Sequence, residues 1–125
     1  MIWLFKKQNF NFDTLDSLDE IKGKHFYLTG NFIQKTKQEF AEEIIGLGGN
    51  YQDLTKRPVV KPKDTDYLIV GGNGYHDPSH GNNYKKVKSW NENNPDKTIP
   101  IIHQLHCEEL LEKYRELNLT SPPTH

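Results

Sequence analysis

KHFYLTGNFIQKTKQEF, residues 24–40, is the stretch whose reading decides the fold. His25-Phe26-Tyr27-Leu28-Thr29 is rich in aromatic and aliphatic residues and has strand length, and the polar turn Lys22-Gly23-Lys24 precedes it. The run stops on Thr29-Gly30, and helical spacing takes over: Phe40, Ile44 and Leu47 fall on one stripe, with Ala41 beside them. Thr36 followed three places later by Glu39 matches a capping box. Gly48-Gly49 then offers the positive φ on which helices commonly end. Turn chemistry alone accounts for a strand that stops on a hydroxyl and a glycine. An anion seated at the junction accounts for it equally well.

Working outward, Tyr51 opens a short second strand, and the stretch to Lys63, with two prolines and four basic residues, is a loop. DYLIVGG (66–72) is an apolar run of strand length, suited to a buried parallel strand. GGNGYHDPSHGNN (71–83) reads as a long turn-rich loop, and YKKVKSWNENN (84–94) as a short helix. Thr98-Ile99-Pro100-Ile101-Ile102 is a fourth strand, whose proline implies an edge position or a strand start. HQLHCEELLEKYREL (103–117) is a helix with Leu110, Leu111 and Tyr114 on its apolar face. The order strand, helix, strand, strand, helix, strand, helix predicts an α/β fold, a small four-stranded parallel sheet flanked by about three helices on both faces. Ligands of such sheets sit at the carboxyl ends of the strands, where Thr29-Gly30 falls.

The totals set limits on function. At 125 residues the chain is one domain, read as 22–117, between an aromatic and basic extension (1–21) and a C-terminal tail (118–125). A formal net charge of −1 gives no global field to attract nucleic acid, so any anion site must be a local cluster. One cysteine, Cys107, excludes an internal disulfide and a cysteine-rich zinc site. No apolar run approaches the roughly 18 residues of a membrane span, and the short apolar start MIWLF lacks a cleavage site. A soluble cytoplasmic protein, away from membranes, is expected.

GKHFYLTG (23–30), the Gly48-Gly49 pair, TDYLIVGG (65–72), the lysine-opened helix at Lys85-Lys86-Val87-Lys88, and IPII before the last helix together resemble the BRCT domain family. The resemblance covers about residues 20–117. It is strongest to the single-domain branch found in bacterial NAD-dependent DNA ligase, the large subunit of replication factor C and some bacterial exonucleases. The tandem, phosphoserine-peptide branch carries a tryptophan in its last helix; here that place holds His106, followed by Cys107 where bacterial forms often have phenylalanine.

The resemblance maps the family's phosphate pocket onto Thr29 and Gly30 as the strand-end pair and Lys85 as its lysine. Lys37 falls where replication-factor-type domains carry a basic residue on DNA phosphate, with Lys35, Lys86 and Lys88 as outer candidates. In those domains a segment before the first strand helps grip DNA, which adds Lys6 and Lys7. The chemistry fits the residue types. A threonine hydroxyl donates to an oxygen, glycine lets a backbone amide approach, a helix N-terminus adds oriented N–H groups, and lysine supplies the cation.

His76-Asp77-Pro78-Ser79-His80 could converge on zinc, but surface histidines in a glycine-rich loop is the preferred reading, so no metal is assigned. GGNG lacks the ending of a phosphate-binding P-loop, so no nucleotide and no cofactor is expected. No paired carboxylates or nucleophile–base set suggests an enzyme. Trp3, Phe5, Phe10 and Phe12 could fold back on the domain, mediate a homodimer, or stack on bases. The resemblance implies a non-catalytic module binding 5′-phosphorylated DNA ends in replication or repair. The alternative is a protein-interaction or dimerisation module, the phosphopeptide-binding kind included, serving a replication or repair partner. A third is that the chain is part of a larger ligase or exonuclease.

Overall fold

Residues 25–29 do form a strand, β1 (His25–Thr29), in a computed structural model that describes residues 12–18, 20–55, 59–73 and 82–120. Helix α1 (Lys37–Gly46) follows. The Thr36 hydroxyl accepts from the Glu39 amide, and the Glu39 carboxylate accepts from the Thr36 amide, so both halves of the capping box are made. At the other end Gly48 takes φ 92°, and the Gly48 and Gly49 amides reach back to the Ile45 and Ile44 carbonyls. This 5→2 and 6→1 closure satisfies carbonyls the helix would otherwise leave open.

The remaining elements are β2 (Asn50–Tyr51), β3 (Tyr67–Val70), α2 (Asn82–Asn93), β4 (Ile101–His103) and α3 (Gln104–Thr120), with short 3-10 turns at Pro62–Asp64 and Pro95–Lys97. All four strands are parallel, in the order β2-β1-β3-β4. β1 runs beside β3 from Phe26↔Tyr67 to Thr29↔Val70, which brings the carboxyl ends of the two central strands level. Pro100 sits one residue ahead of the edge strand β4 and contributes only its carbonyl, which accepts from the Leu68 amide.

The period-two alternation of β1 sorts its side chains. Phe26 and Leu28 enter a core with Phe40, Ile44, Cys107 and Leu111, so α1 and α3 cover that face. Tyr27 turns to the opposite face and joins Leu68, Val70, Tyr84 and Val87 beneath α2. The expected α/β architecture, a four-stranded parallel sheet with three helices distributed over both faces, is therefore present.

The described part of the N-terminal extension builds into this domain. Leu18 and Ile21 are buried in the α1/α3 core, and Leu15 packs against it. Asp13 locks on to the edge strand twice: its amide donates to the Ile101 carbonyl and its carboxylate accepts from the Ile101 amide, each at 2.7 Å. The Leu15 amide donates to His106 Nε2 at 3.0 Å, and Lys113 Nζ donates to the Asp16 carbonyl. Phe12 packs edge-on against His103, 5.2 Å between ring centroids. The packed domain therefore begins at least ten residues before residue 22, as Phe12 to Ile21 show. Composition hid this because the apolar residues of the arm recur every third position without forming a helix or strand.

Candidate functional site

Thr29 ends β1 with its side chain on the α2 side of the sheet, following the alternation set by Tyr27. It is buried, at 5% exposure. Its Oγ1 accepts a long hydrogen bond, 3.5 Å, from Asn83 Nδ2 in the first turn of α2. Asn83 Oδ1 in turn accepts from the Val60 amide at 3.1 Å, and Asn83 also hydrogen-bonds the Tyr27 phenol. Burial pushes that phenol above its ordinary range, and the Asn83 bond acts the other way. Asn83 thus joins the carboxyl end of β1 to the start of α2. With Asn83 donating to Oγ1, the Thr29 hydroxyl keeps its own hydrogen to give.

Gly30 takes φ 82°, a left-handed turn that a side chain would strain, so the glycine is required by the bend itself. The loop after it, 30–36, is pressed against the loop after β3. The Gly71 amide donates to the Thr29 carbonyl at 2.8 Å, and the Asn73 amide to the Asn31 carbonyl at 3.1 Å. A Cβ on Gly71 would lie 2.3 Å from the Asn31 carbonyl carbon and oxygen, so the two backbones touch with no room for a side chain. Both loops are held by one side chain that periodicity did not single out. Gln104, fully buried at the start of α3, accepts from the Ile33 and Gly72 amides through Oε1 at 3.0 and 2.8 Å. Its Nε2 donates to the Ile33 carbonyl at 2.8 Å and to Glu108 at 2.7 Å.

Lys85 is exposed on the first turn of α2, two residues after Asn83. The helix starts at Asn82, so Lys85 lies most of a turn inside it rather than at its opening. Asparagine favours caps and turns, so the sequence pattern at Asn82 and Asn83 predicts loop where the structure has helix. Lys86 and Lys88 are also exposed on α2, and the Lys88 ammonium lies 5.8 Å from the centre of the Tyr84 ring, a cation–π distance. Thr29 and Asn83 thus meet on the α2 side of the sheet. Lys85 shares that helix turn with its side chain directed away from Asn83, since helix residues two apart do not face each other.

Lys35 and Lys37 belong to the other side, where α1 begins. Lys37 is the first residue of α1 and half-buried. The Lys35 ammonium is paired with the Glu43 carboxylate, whose second oxygen takes Arg115 at 2.7 Å. Burial acts to raise the Glu43 carboxyl, but hydrogen bonds and charge from Lys35 and Arg115 outweigh it and hold the group below its ordinary value. Lys6, Lys7, Trp3, Phe5, Phe10 and the His76–His80 cluster lie outside the described residues.

The histidines at and just inside the start of α3 have structural duties. His103 Nδ1 accepts from the Leu105 amide, capping α3, while His106 receives the N-terminal arm. Cys107 is fully buried, and desolvation drives its thiol far above the ordinary range, so it is a core group without thiolate character. Among the described residues no group of three metal-ligating side chains occurs, and no helix is long and apolar enough to cross a membrane. Comparisons with protein-family models, with curated proteins and with solved structures find no match.

Proposed function

We propose that the chain is a BRCT-like, non-catalytic module that recognises a phosphate, and that its ligand is the 5′-phosphorylated end of DNA in replication or repair. The observation carrying this reading is the hydrogen bond between Asn83 and Thr29, which ties the strand-end hydroxyl to the helix turn bearing Lys85. The turn at Gly30 and the exposed lysines of α2 support it. In this reading the Thr29 hydroxyl and the Gly30 amide donate to phosphate oxygens, Lys85 neutralises charge, and Lys86 and Lys88 track the adjoining backbone. Lys37 serves the DNA strand on the α1 side. The cellular setting that fits is the cytoplasm, and the protein needs no cofactor to bind.

Fluorescence anisotropy with a recessed-end duplex, with and without its 5′-phosphate, tests this at low salt. The phosphate should tighten binding several-fold, and Thr29→Ala or Lys85→Ala should each remove the gain. Equal affinity for both duplexes contradicts the reading.

A second reading, a protein-interaction or dimerisation module, draws on exposed apolar residues. Leu105 and Leu117 on α3 are 41% and 55% exposed. A cleft of about 250 Å³ at the β2 edge is lined by Phe26, Tyr27, Tyr51 and the 63% exposed Val59. This reading predicts concentration-dependent size with little response to salt.

A further inference from the structure

Phosphate recognition by a strand-end loop requires that the loop hold its shape before the ligand arrives, since ordering it on binding would cost affinity. The loop of residues 30–36 has an uncomfortable shape. Gly30 is left-handed at φ 82°, and Gln34, which is not a glycine, is left-handed as well at φ 67°. The Lys35 amide donates to the Ile33 carbonyl at 2.7 Å, which closes a three-residue γ-turn around Gln34. Turns of that hand are rare and strained and persist only where the surroundings over-determine them.

On the far side of Gln34 the Lys35–Glu43 pair and the Thr36 cap hold the turn, and on the near side one buried amide does so. Gln104 holds Ile33, the residue just before the strained turn, by both its N–H and its C=O, and holds Gly72 across the gap by its N–H. Because Thr29 and Asn31 already bond Gly71 and Asn73, the two loops are pinned at three successive levels beyond the ends of β1 and β3. Glu108, one turn along α3, accepts from Gln104 Nε2 and so fixes which end of the amide faces which loop. A fully buried glutamine is uncommon, since glutamine is usually a surface residue. An apolar side chain would fill the same core site without holding either loop.

We infer that Gln104 is a positioning residue for the candidate phosphate site: it touches no ligand, and it fixes the 30–36 and 71–73 loops so that the Gly30 amide stands ready for an anion. This rests on the phosphate reading of Thr29, Gly30 and Lys85.

The test compares the intact wild-type chain with Gln104→Met, close in length but without hydrogen-bonding atoms, and with the milder Glu108→Ala, which leaves all three Gln104 loop contacts possible but frees its orientation. Binding of the 5′-phosphate and 5′-hydroxyl duplexes is measured for each, beside amide hydrogen exchange of the free protein. With one buried pair of amides released, Gln104→Met should speed exchange at Ile33 and Gly72 by about ten-fold or more. It should abolish the affinity gain from the phosphate while leaving 5′-hydroxyl affinity unchanged, a split that general destabilisation does not produce. Glu108→Ala should reduce the gain part-way. A phosphate gain that survives in Gln104→Met overturns the inference and leaves the phosphate reading standing. Should Gln104→Met not fold, an undiminished gain in Glu108→Ala overturns it. If the wild type itself shows no gain, the phosphate reading falls, and the inference falls with it.

Discussion

The Thr29 hydroxyl accepts from Asn83 inside the protein and keeps a hydrogen to donate. Replacing it with valine preserves shape and burial but leaves the Asn83 amide short of a partner, which should cost about 1 kcal/mol in a denaturant melt. The same change should erase the discrimination between phosphorylated and hydroxyl DNA ends. At Gly71 the consequence is steric. A Cβ there meets backbone rather than a yielding side chain, at 2.3 Å, so Gly71→Ala should destabilise by about 2–3 kcal/mol or more as the two loops are forced apart. A melting temperature equal to wild type would show that the loops separate freely and are not a fixed platform.

Among the elements, α1 is anchored at its start by the capping box and on its flank by Glu43, which joins Lys35 ahead of the helix to Arg115 on α3. The folded carboxyl lies below its ordinary value, so the unfolded chain binds a proton at higher pH than the folded one. The stability this gives is fully present above the ordinary carboxylate range and is lost as pH falls through the lowered folded value. Urea midpoints should therefore drop between about pH 5 and about pH 3, and Glu43→Gln should flatten that slope while costing on the order of 1 kcal/mol at neutral pH. An unchanged slope would assign the acid response to other carboxylates.

The elements were legible because their signals are periodic. The apolar run of HFYLT ending at Thr29-Gly30, the stripe through Phe40 and Ile44, and the Gly48 stop each repeat or bracket a pattern. The candidate site was legible only in part. Thr29, Gly30 and Lys85 stand out at the end of a strand and on a basic helix turn. Asn83 and Gln104, which connect the site, are single polar residues with no period, and Gln104 bonds to Ile33, 71 positions away. A buried glutamine also defies the expectation that polar side chains face water.

On the scale of the whole molecule, the arm of residues 12–21 closes the β4 edge and the α1/α3 core together. A chain starting at residue 22 lacks Leu18 and Ile21, each worth about 2–5 kcal/mol when truncated from a core, and should melt far below the intact protein or fail to fold. With a net charge of −1, any DNA affinity has to come from local lysines, Lys85, Lys86 and Lys88 on α2 and Lys37 at the start of α1. Binding should accordingly weaken with salt at a log–log slope of about −0.9 for each duplex phosphate neutralised. The most direct measurement of the central claim is amide NMR during titration with the 5′-phosphorylated recessed duplex. The Gly30 backbone signal and the Asn83 side-chain amide should move together, should move less with the 5′-hydroxyl duplex, and should stop responding in Lys85→Ala. Shifts confined to the exposed face of α3, or identical for the two duplexes, would contradict a phosphate site at the end of β1.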